Sequence, residues 1–226
     1  MLGLTLKRIL LPVAAWLVVM IALGLLITKV VPIPGEDSVN RGLIALGDGL
    51  LEGISAFFSG VGSTPWIIAV TAVAAVVMRL TLHRWPEPLF LCAVVTAQAV
   101  VFFFTTLVID RRRPAVRHLD ESPPTSSFPS GHTSAAVALY AGLALVLAML
   151  MRHTWAKALC WALLLVQVAV ALSRLYRGMH HPSDVLASAV NGTVCILIMT
   201  RAFLTDAARR ELPHRPGGAD RAGAQR

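Results

Sequence analysis

The sequence predicts an all-α, polytopic membrane protein with six transmembrane helices packed as a bundle. Hydrophobic residues make up 56% of its 226 residues and charged residues only 14%, whereas soluble domains carry about 25% charged residues. The mean hydropathy is +0.71. Long uncharged stretches recur along the chain, and a helix needs roughly 20 mainly apolar residues to cross the hydrocarbon core.

The predicted spans follow these uncharged stretches in chain order. The stretches lie at 9–28, 53–78, 88–109, 133–151, 158–173 and 185–200. The last two are short and need flanking residues or a tilt to cross the bilayer. Spans are therefore predicted at about 9–31, 62–81, 87–109, 132–151, 156–174 and 184–203.

Residues 1–206 are predicted to form one membrane domain. The segment 207–226 is rich in Pro, Gly and Arg, which predicts a disordered, basic cytoplasmic tail. The segment 32–62 is predicted to form an amphipathic helix at the membrane interface, because its apolar residues recur at roughly helical spacing. It either only connects the first two spans or lines a route by which lipid reaches the site.

The net charge of +8 does not indicate nucleic-acid binding, because most basic residues flank the spans. Alternating spans place the following on one side: Lys7, Arg8, Arg79, Arg84, Arg152, Lys157, Arg201, Arg209 and Arg210. The positive-inside rule makes that side cytoplasmic. Both termini are then cytoplasmic, and the loops at 32–62, 110–131 and 174–184 face outward, as expected in the plasma membrane of a bacterium.

The three cysteines, Cys92, Cys160 and Cys195, lie inside predicted spans without metal-ligand spacing. They are interpreted as packing thiols, with neither a disulfide framework nor a metal site.

Two outward loops hold most of the unusual chemistry. Residues 110–134 read DRRRPAVRHLDESPPTSSFPSGHTS, and residues 173–184 read SRLYRGMHHPSD. Ionisable residues close to a membrane are costly and indicate function by default. Loops that leave packed spans on the same side can converge on one site.

In the first loop, Ser130 and Gly131 directly precede a predicted helix. Serine favours the position before a helix, and glycine lets a ligand approach the backbone. The free N–H groups of a helix start bind anions, and His132 stands there as a potential acid or base. Taken alone, this pattern equally fits a simple helix cap.

In the second loop, Arg174 can bind two phosphate oxygens at once. His180 and Asp184 are four residues apart. In a helical turn the carboxylate can hold one ring nitrogen and leave the other as a nucleophile. A polar loop with a histidine near the membrane is the simpler interpretation of this loop alone.

Together these motifs resemble the ordered signature of the type 2 phosphatidic acid phosphatase family, membrane lipid phosphatases with a vanadium haloperoxidase-like fold. The matching residues are Arg113 and Pro114, then Ser130, Gly131 and His132, then Ser173, Arg174, His180 and Asp184. The second and third motifs match fully. The first departs from the family pattern, because Thr106 stands where the family has lysine. We expect Arg111, Arg112, Arg117 or Arg177 to supply the missing charge; otherwise the activity is reduced or the substrate differs.

The resemblance implies a metal-independent reaction without cofactors. His180 attacks phosphorus to form a phosphohistidine, Asp184 orients it, and His132 protonates the leaving oxygen and then activates water. Arg113, Arg174, Ser130 and Gly131 hold the phosphoryl oxygens. Thr106, Arg112 and Arg177 are candidate substrate or compensating contacts, and His181 is interpreted as structural.

The implied substrate is a membrane lipid carrying a phosphate monoester or diphosphate, such as phosphatidic acid, phosphatidylglycerol phosphate or a polyprenyl diphosphate. Two alternatives remain open: a lipid phosphotransferase of the same fold, and a catalytically impaired membrane protein that binds phospholipid. A metal-dependent hydrolase using His132, His180, His181 and Asp184 is a further, weaker alternative. The partners expected are therefore the lipid phosphate and the bilayer, with no nucleic acid and no metal.

Overall fold

The computed structural model of the protein describes residues 6–47, 49–121 and 124–205. Within these residues the chain is helical and contains no strand. The helices are α1 Lys7–Val30, α2 Glu36–Ala45, α3 Gly49–Val61, α4 Thr64–Leu82, α5 Pro86–Val108, α6 Gly131–Leu150, α7 Thr154–Tyr176 and α8 Pro182–Leu204. The predicted tail at 207–226 lies outside the described residues.

Six of these helices, α1 and α4 to α8, are long and apolar enough to cross a membrane. The predicted all-α, six-span class is confirmed, and the predicted ends agree with the structure to within a few residues. The agreement arises because a charge-free run of this length is a local property of the sequence.

The segment 32–62 was predicted to form one helix, and this is wrong. The structure forms two short helices, α2 and α3, which are separated around Leu46 and Gly47. Helix α3 packs along α7, and α2 packs against both α7 and α8. Both helices therefore lie where α7 ends and α8 begins, next to the second chemistry-bearing loop.

The helix starts follow from the sequence. A proline stands in the first turn of α4, α5 and α8, where its missing N–H would lack a helical partner anyway. Helix α6 begins after Ser130, whose side chain accepts a hydrogen bond from the Thr133 backbone N–H. These caps fix the ends of α6 and α8 that face the two loops.

Helix α6 is the most buried span and α1 the least. The main core lies where α5, α6 and α7 meet, and its fully buried side chains include Phe90, Leu91, Val94, Leu139, Val146 and Val170. A second cluster around Met20 and Phe128 joins α1 to the loop before α6. This packing holds the start of α6, the end of α7 and the start of α8 beside one another.

Candidate active site

A tight turn joins α7 to α8 and carries His180. Its backbone folds back on α7, since Arg177 N donates to Ser173 O at 2.9 Å and Met179 N donates to Arg174 O at 3.1 Å. Gly178 lies in the turn with φ of 69°, and a Cβ there would be 2.6 Å from the Arg117 carbonyl oxygen. The turn therefore requires glycine.

A cavity of about 770 Å³ opens beside this turn. At its polar end it is lined by Arg113, His132, Arg174 and His180, together with Asp120. Its remaining wall is mostly apolar and comes from α3, α4, α5, the loop before α6 and the first turns of α6. The structure thus brings both predicted histidines and both predicted phosphate-binding arginines to one space.

His180 is buried, and its Nδ1 lies 2.7 Å from the Ser127 carbonyl oxygen. Because a carbonyl only accepts, Nδ1 carries the proton and Nε2 keeps its lone pair. Burial lowers the pKa of His180 to about 3, and Arg174 and Arg113 lower it while Asp184 and the Ser127 hydrogen bond raise it. The ring is therefore neutral at neutral pH, which is the state a nucleophile needs.

The predicted direct hydrogen bond between Asp184 and His180 is absent from this structure. The Asp184 Oδ2 to His180 Nδ1 distance is 3.9 Å, which is too long for a hydrogen bond. The prediction assumed helical i,i+4 geometry, but α8 begins only at Pro182, so His180 lies outside the helix. Asp184 instead accepts from Ser127 Oγ, and Ser127 supplies the carbonyl that holds His180.

Asp184 has two further partners. It forms an ion pair with Arg111, whose other nitrogen lies 2.5 Å from Glu36 Oε2. It also accepts from the His181 backbone N–H at 2.8 Å, and the His181 ring lies between Asp184 and Asp37. His181 is therefore held between two carboxylates beside the turn.

Arg113 and Arg174 keep unused donors at the cavity. Arg113 Nη1 donates to Met179 O at 2.7 Å, and Arg174 Nη1 donates to Asp120 at 2.6 Å and to Ser59 Oγ at 2.6 Å. The Nε atoms of both arginines are buried and have no hydrogen-bond partner in the described chain. Burial lowers the pKa of Arg113, with Asp184 opposing the shift, but a guanidinium remains charged at neutral pH. Both side chains can therefore bind a phosphoryl group.

The residues at the start of α6 divide into two groups. Gly131 and His132 line the cavity, and a Cβ on Gly131 would be 2.9 Å from the Phe102 ring. Ser130 is fully buried, its backbone N–H donates to Ser188 Oγ at 2.6 Å, and its hydroxyl caps α6. Ser130 is not among the residues that line the cavity, so its placement matches the helix-cap alternative.

A family model described as the PAP2 superfamily matches residues 87–207, which is more than half of the chain. The chain belongs to the PAP2 superfamily. The matched residues include every histidine and arginine of the cavity.

One curated relative is the undecaprenyl-diphosphatase BcrC of Bacillus subtilis (strain 168), which is 36% identical over 98 residues. That alignment covers 42% of this chain and 46% of the relative, so the chain matches about half the length of this protein.

Two solved structures have the same fold. The transmembrane PAP2 type phosphatidylglycerolphosphate phosphatase from Bacillus subtilis matches with a TM-score of 0.72 and 18% identity, over 90% of this chain and 98% of that one. LpxE of Aquifex aeolicus matches with a TM-score of 0.57 and 22% identity, over 73% of this chain and 93% of that one.

The departure from the PAP2 signature at Thr106 is not compensated inside the cavity. Thr106 donates to the Phe128 carbonyl at 3.3 Å and does not line the cavity. Arg112 is exposed and lies at a separate polar cleft, and Arg117 is exposed as well. Arg177 is buried against Asp120 and Ser55. The expectation that one of these arginines replaces the lysine charge at the phosphate site does not match their placement.

Sequence reasoning missed Asp120, which lines the polar end of the cavity. Its carboxylate accepts from Arg174 and from Arg177 Nε at 2.7 Å, and from Ser59 Oγ at 3.2 Å. Burial raises the pKa of Asp120, but hydrogen bonds and charges from Arg177 and Arg174 outweigh burial and hold the pKa below its usual value. The acidic pair at 120–121 in an arginine-rich loop was the available signal.

Sequence reasoning also missed Glu36 and Asn40 on α2. Asn40 is fully buried, and its Nδ2 donates to Leu175 O at 2.8 Å and to His180 O at 3.0 Å. Glu36 accepts from the Ser183 backbone N–H at 2.8 Å. Helix α2 therefore holds both ends of the turn that carries His180, and no local pattern in the sequence indicates this.

Proposed function

We propose that the protein is an integral-membrane lipid phosphatase that hydrolyses a phosphate monoester or diphosphate lipid. The observation that carries the proposal is the single cavity described above. Two histidines and two arginines line its polar end, and much of the remaining wall consists of apolar side chains, many of them from α4 and α5. A cavity with a cationic end and an apolar wall fits a phosphorylated lipid better than a water-soluble ester.

The proposed reaction has two steps, both at phosphorus. In the first, His180 Nε2 forms a bond to phosphorus while the bond to the lipid oxygen breaks, and His132 gives its proton to that oxygen. In the second, His132 takes a proton from a water molecule, whose oxygen displaces the histidine and forms inorganic phosphate. Arg113 and Arg174 neutralise the charge that develops on the phosphoryl oxygens. We propose that the reaction needs no metal ion.

Two observations support a substrate class: the names of the matched proteins and the chemistry of the cavity lining. One relative is named an undecaprenyl-diphosphatase and another a phosphatidylglycerolphosphate phosphatase. Both kinds of lipid, and phosphatidic acid, combine a terminal phosphate with a long apolar part. We propose this group as the substrate class of the present chain.

The proposed orientation is in the plasma membrane, with the site outside and both termini in the cytoplasm. The support is the basic residues at the opposite ends of the spans, which include Arg79, Arg84, Arg152, Lys157 and Arg201.

The test is phosphate release by the detergent-purified protein from the three lipids, with EDTA present. The proposal predicts release that is insensitive to EDTA and is lost in His180→Ala. The matched control is His153→Ala, because His153 is exposed at the opposite end of the bundle, between α6 and α7. Release that requires a divalent metal, or that survives in His180→Ala, would contradict the mechanism. A folded protein that releases no phosphate would instead favour a phosphotransferase or a phospholipid-binding protein.

A further inference from the structure

A chain of buried polar side chains crosses the apolar interior of the bundle. It runs from Trp16 on α1 through Asn191 on α8 and Ser134 on α6 to Gln98 on α5. Asn191 and Ser134 are fully buried, and Gln98 is 4% exposed. Polar groups inside an apolar bundle are costly unless they are hydrogen-bonded, and they indicate function by default.

The direction of each hydrogen bond in this chain follows from its first member. The Trp16 indole N–H can only donate, and it lies 2.9 Å from Asn191 Oδ1. Asn191 Nδ2 is therefore the donor to Ser134 Oγ, at 2.7 Å. The Ser134 hydroxyl then donates its own proton to Gln98 Oε1, at 2.8 Å.

In this order of hydrogen bonds, the side-chain amide nitrogen of Gln98 has no partner within the described chain. Oε1 of Gln98 is occupied by Ser134, so the amide nitrogen Nε2 points its two N–H donors elsewhere. No described residue accepts a hydrogen bond from Nε2, and Nε2 is not among the fully buried atoms that lack a partner, although Gln98 as a whole is buried. Because Gln98 lines the cavity, its free donor serves whatever occupies that space.

The donor lies in the apolar part of the cavity, at a defined depth. The cavity residues nearest to Gln98 in sequence are Val95, Ala99 and Phe102. Its partner Ser134 comes three residues after Gly131, which lines the polar end. At 1.5 Å per residue, Ser134 lies roughly one helical turn, about 5 Å, deeper than Gly131, and the Gln98 amide is hydrogen-bonded to it.

We propose that Gln98 is a specificity-determining residue that donates a hydrogen bond to an ester carbonyl of an acylated glycerol, which makes a diacylglycerol phosphate the preferred substrate class. This inference rests on the proposed function. In such a lipid the ester carbonyls follow the phosphate by a few bonds, close to the depth of Gln98. A polyprenyl chain offers only hydrocarbon at that depth and would leave the buried donor unpaired, which costs affinity.

The experiment compares two lipids that differ only in these carbonyls: dioleoyl phosphatidic acid and its dialkyl ether analogue. The wild type is expected to show a kcat/KM roughly three- to tenfold higher for the ester, the contribution of one neutral hydrogen bond. Gln98→Leu is expected to bring the ratio to about one by losing activity on the ester alone. The matched control is Gln167→Leu, the same change in α7 at a residue that does not line the cavity, and it should keep the wild-type ratio.

The same lipids are also titrated against His180→Ala, with thermal stabilisation as the readout, so that the contact is measured without catalysis. Ester preference in binding to His180→Ala, together with no phosphate release by the wild type, would support the Gln98 contact and overturn the proposed phosphatase activity. Phosphate release at equal rates from ester and ether would overturn the Gln98 inference alone. The wild-type ratio decides the question even if Gln98→Leu does not fold.

Discussion

At the scale of single residues, hydrogen bonds and burial determine the protonation state of side chains in this site, and His180 is the clearest case. Its Nδ1 proton is committed to the Ser127 carbonyl, and its buried ring is neutral. Nε2, the proposed nucleophile, therefore keeps a free lone pair across the neutral range, without a change of tautomer or the loss of a proton. Asp184 affects His180 indirectly, through its hydrogen bond with Ser127 and through its charge.

This state predicts how stability depends on pH. The pKa of His180 is 6.5 in an unfolded chain and about 3 in the folded protein. Between these values the unfolded chain binds a proton that the folded chain does not, so a fall in pH favours unfolding. From pH 7.5 to 5, we expect wild type to lose on the order of 1–2 kcal/mol more than His180→Gln. Denaturant unfolding at both pH values measures this, and equal losses would contradict the neutral buried ring.

A second residue-scale prediction concerns Gly178. Any side chain there meets the Arg117 carbonyl at 2.6 Å and has to adopt φ of 69°. We expect Gly178→Ala to destabilise the protein by roughly 1–3 kcal/mol and to lower kcat by moving His180.

The matched control for Gly178 is Gly42→Ala on α2, where a Cβ meets nothing within 4 Å. Alanine is the better helix former there, by about 0.5–1 kcal/mol. Thermal unfolding and phosphate release are measured for both variants. A Gly178→Ala protein as active and stable as Gly42→Ala would show that the turn tolerates a side chain.

At the scale of elements, local patterns predicted the helices well and their partners poorly. The six spans and the starts of α6 and α8 are determined by short local stretches of sequence. The role of Glu36 and Asn40 depends on α2 reaching a turn 135 or more residues away in sequence, so no local pattern contains it. The pairing of His180 with Asp184 failed for a related reason, since the spacing of four assumed a helix that begins two residues later.

Helix α2 is thus a support for the catalytic turn, and Asn40 tests this role. Asn40→Leu leaves the carbonyls of Leu175 and His180 without their donor. We expect a loss of roughly 1–3 kcal/mol in stability and a fall in kcat with little change in KM, because the phosphate-binding arginines stay in place. The control is Val39→Ala, at an exposed position of the same helix. A rise in KM alone would place α2 in substrate binding instead.

At the scale of the whole molecule, the two ends of the bundle carry different sets of ionisable side chains. The candidate catalytic groups cluster where α6 and α8 begin and α7 ends, while Arg79, Arg84, Arg152, Lys157 and Arg201 lie at the opposite ends of the spans. This distribution supports the proposed orientation in the membrane.

Thiol labelling tests the orientation directly. The three native cysteines lie within spans and are replaced by alanine in the background. An impermeant maleimide is expected to label Val39→Cys in intact cells, and to label His153→Cys only after the membrane is opened. Both residues are exposed in the structure. The reverse labelling pattern would show that the protein has the opposite orientation in the membrane.

The ion pairs of Asp120 have a consequence for which ions can use the pocket. Arg174 already shares a carboxylate with Arg177, at 2.6 Å from each. At Arg174, an incoming phosphoryl group therefore replaces one anion with another, whereas Arg113 has no carboxylate partner among the described residues and its charge is available to the phosphoryl oxygens. A weakly basic monovalent ion such as chloride gains too little to break this arrangement, whereas a doubly charged phosphate with several acceptor oxygens also satisfies the two unused Nε donors. We therefore expect common monovalent salts to compete only weakly with a phosphorylated substrate, because Asp120 already occupies Arg174.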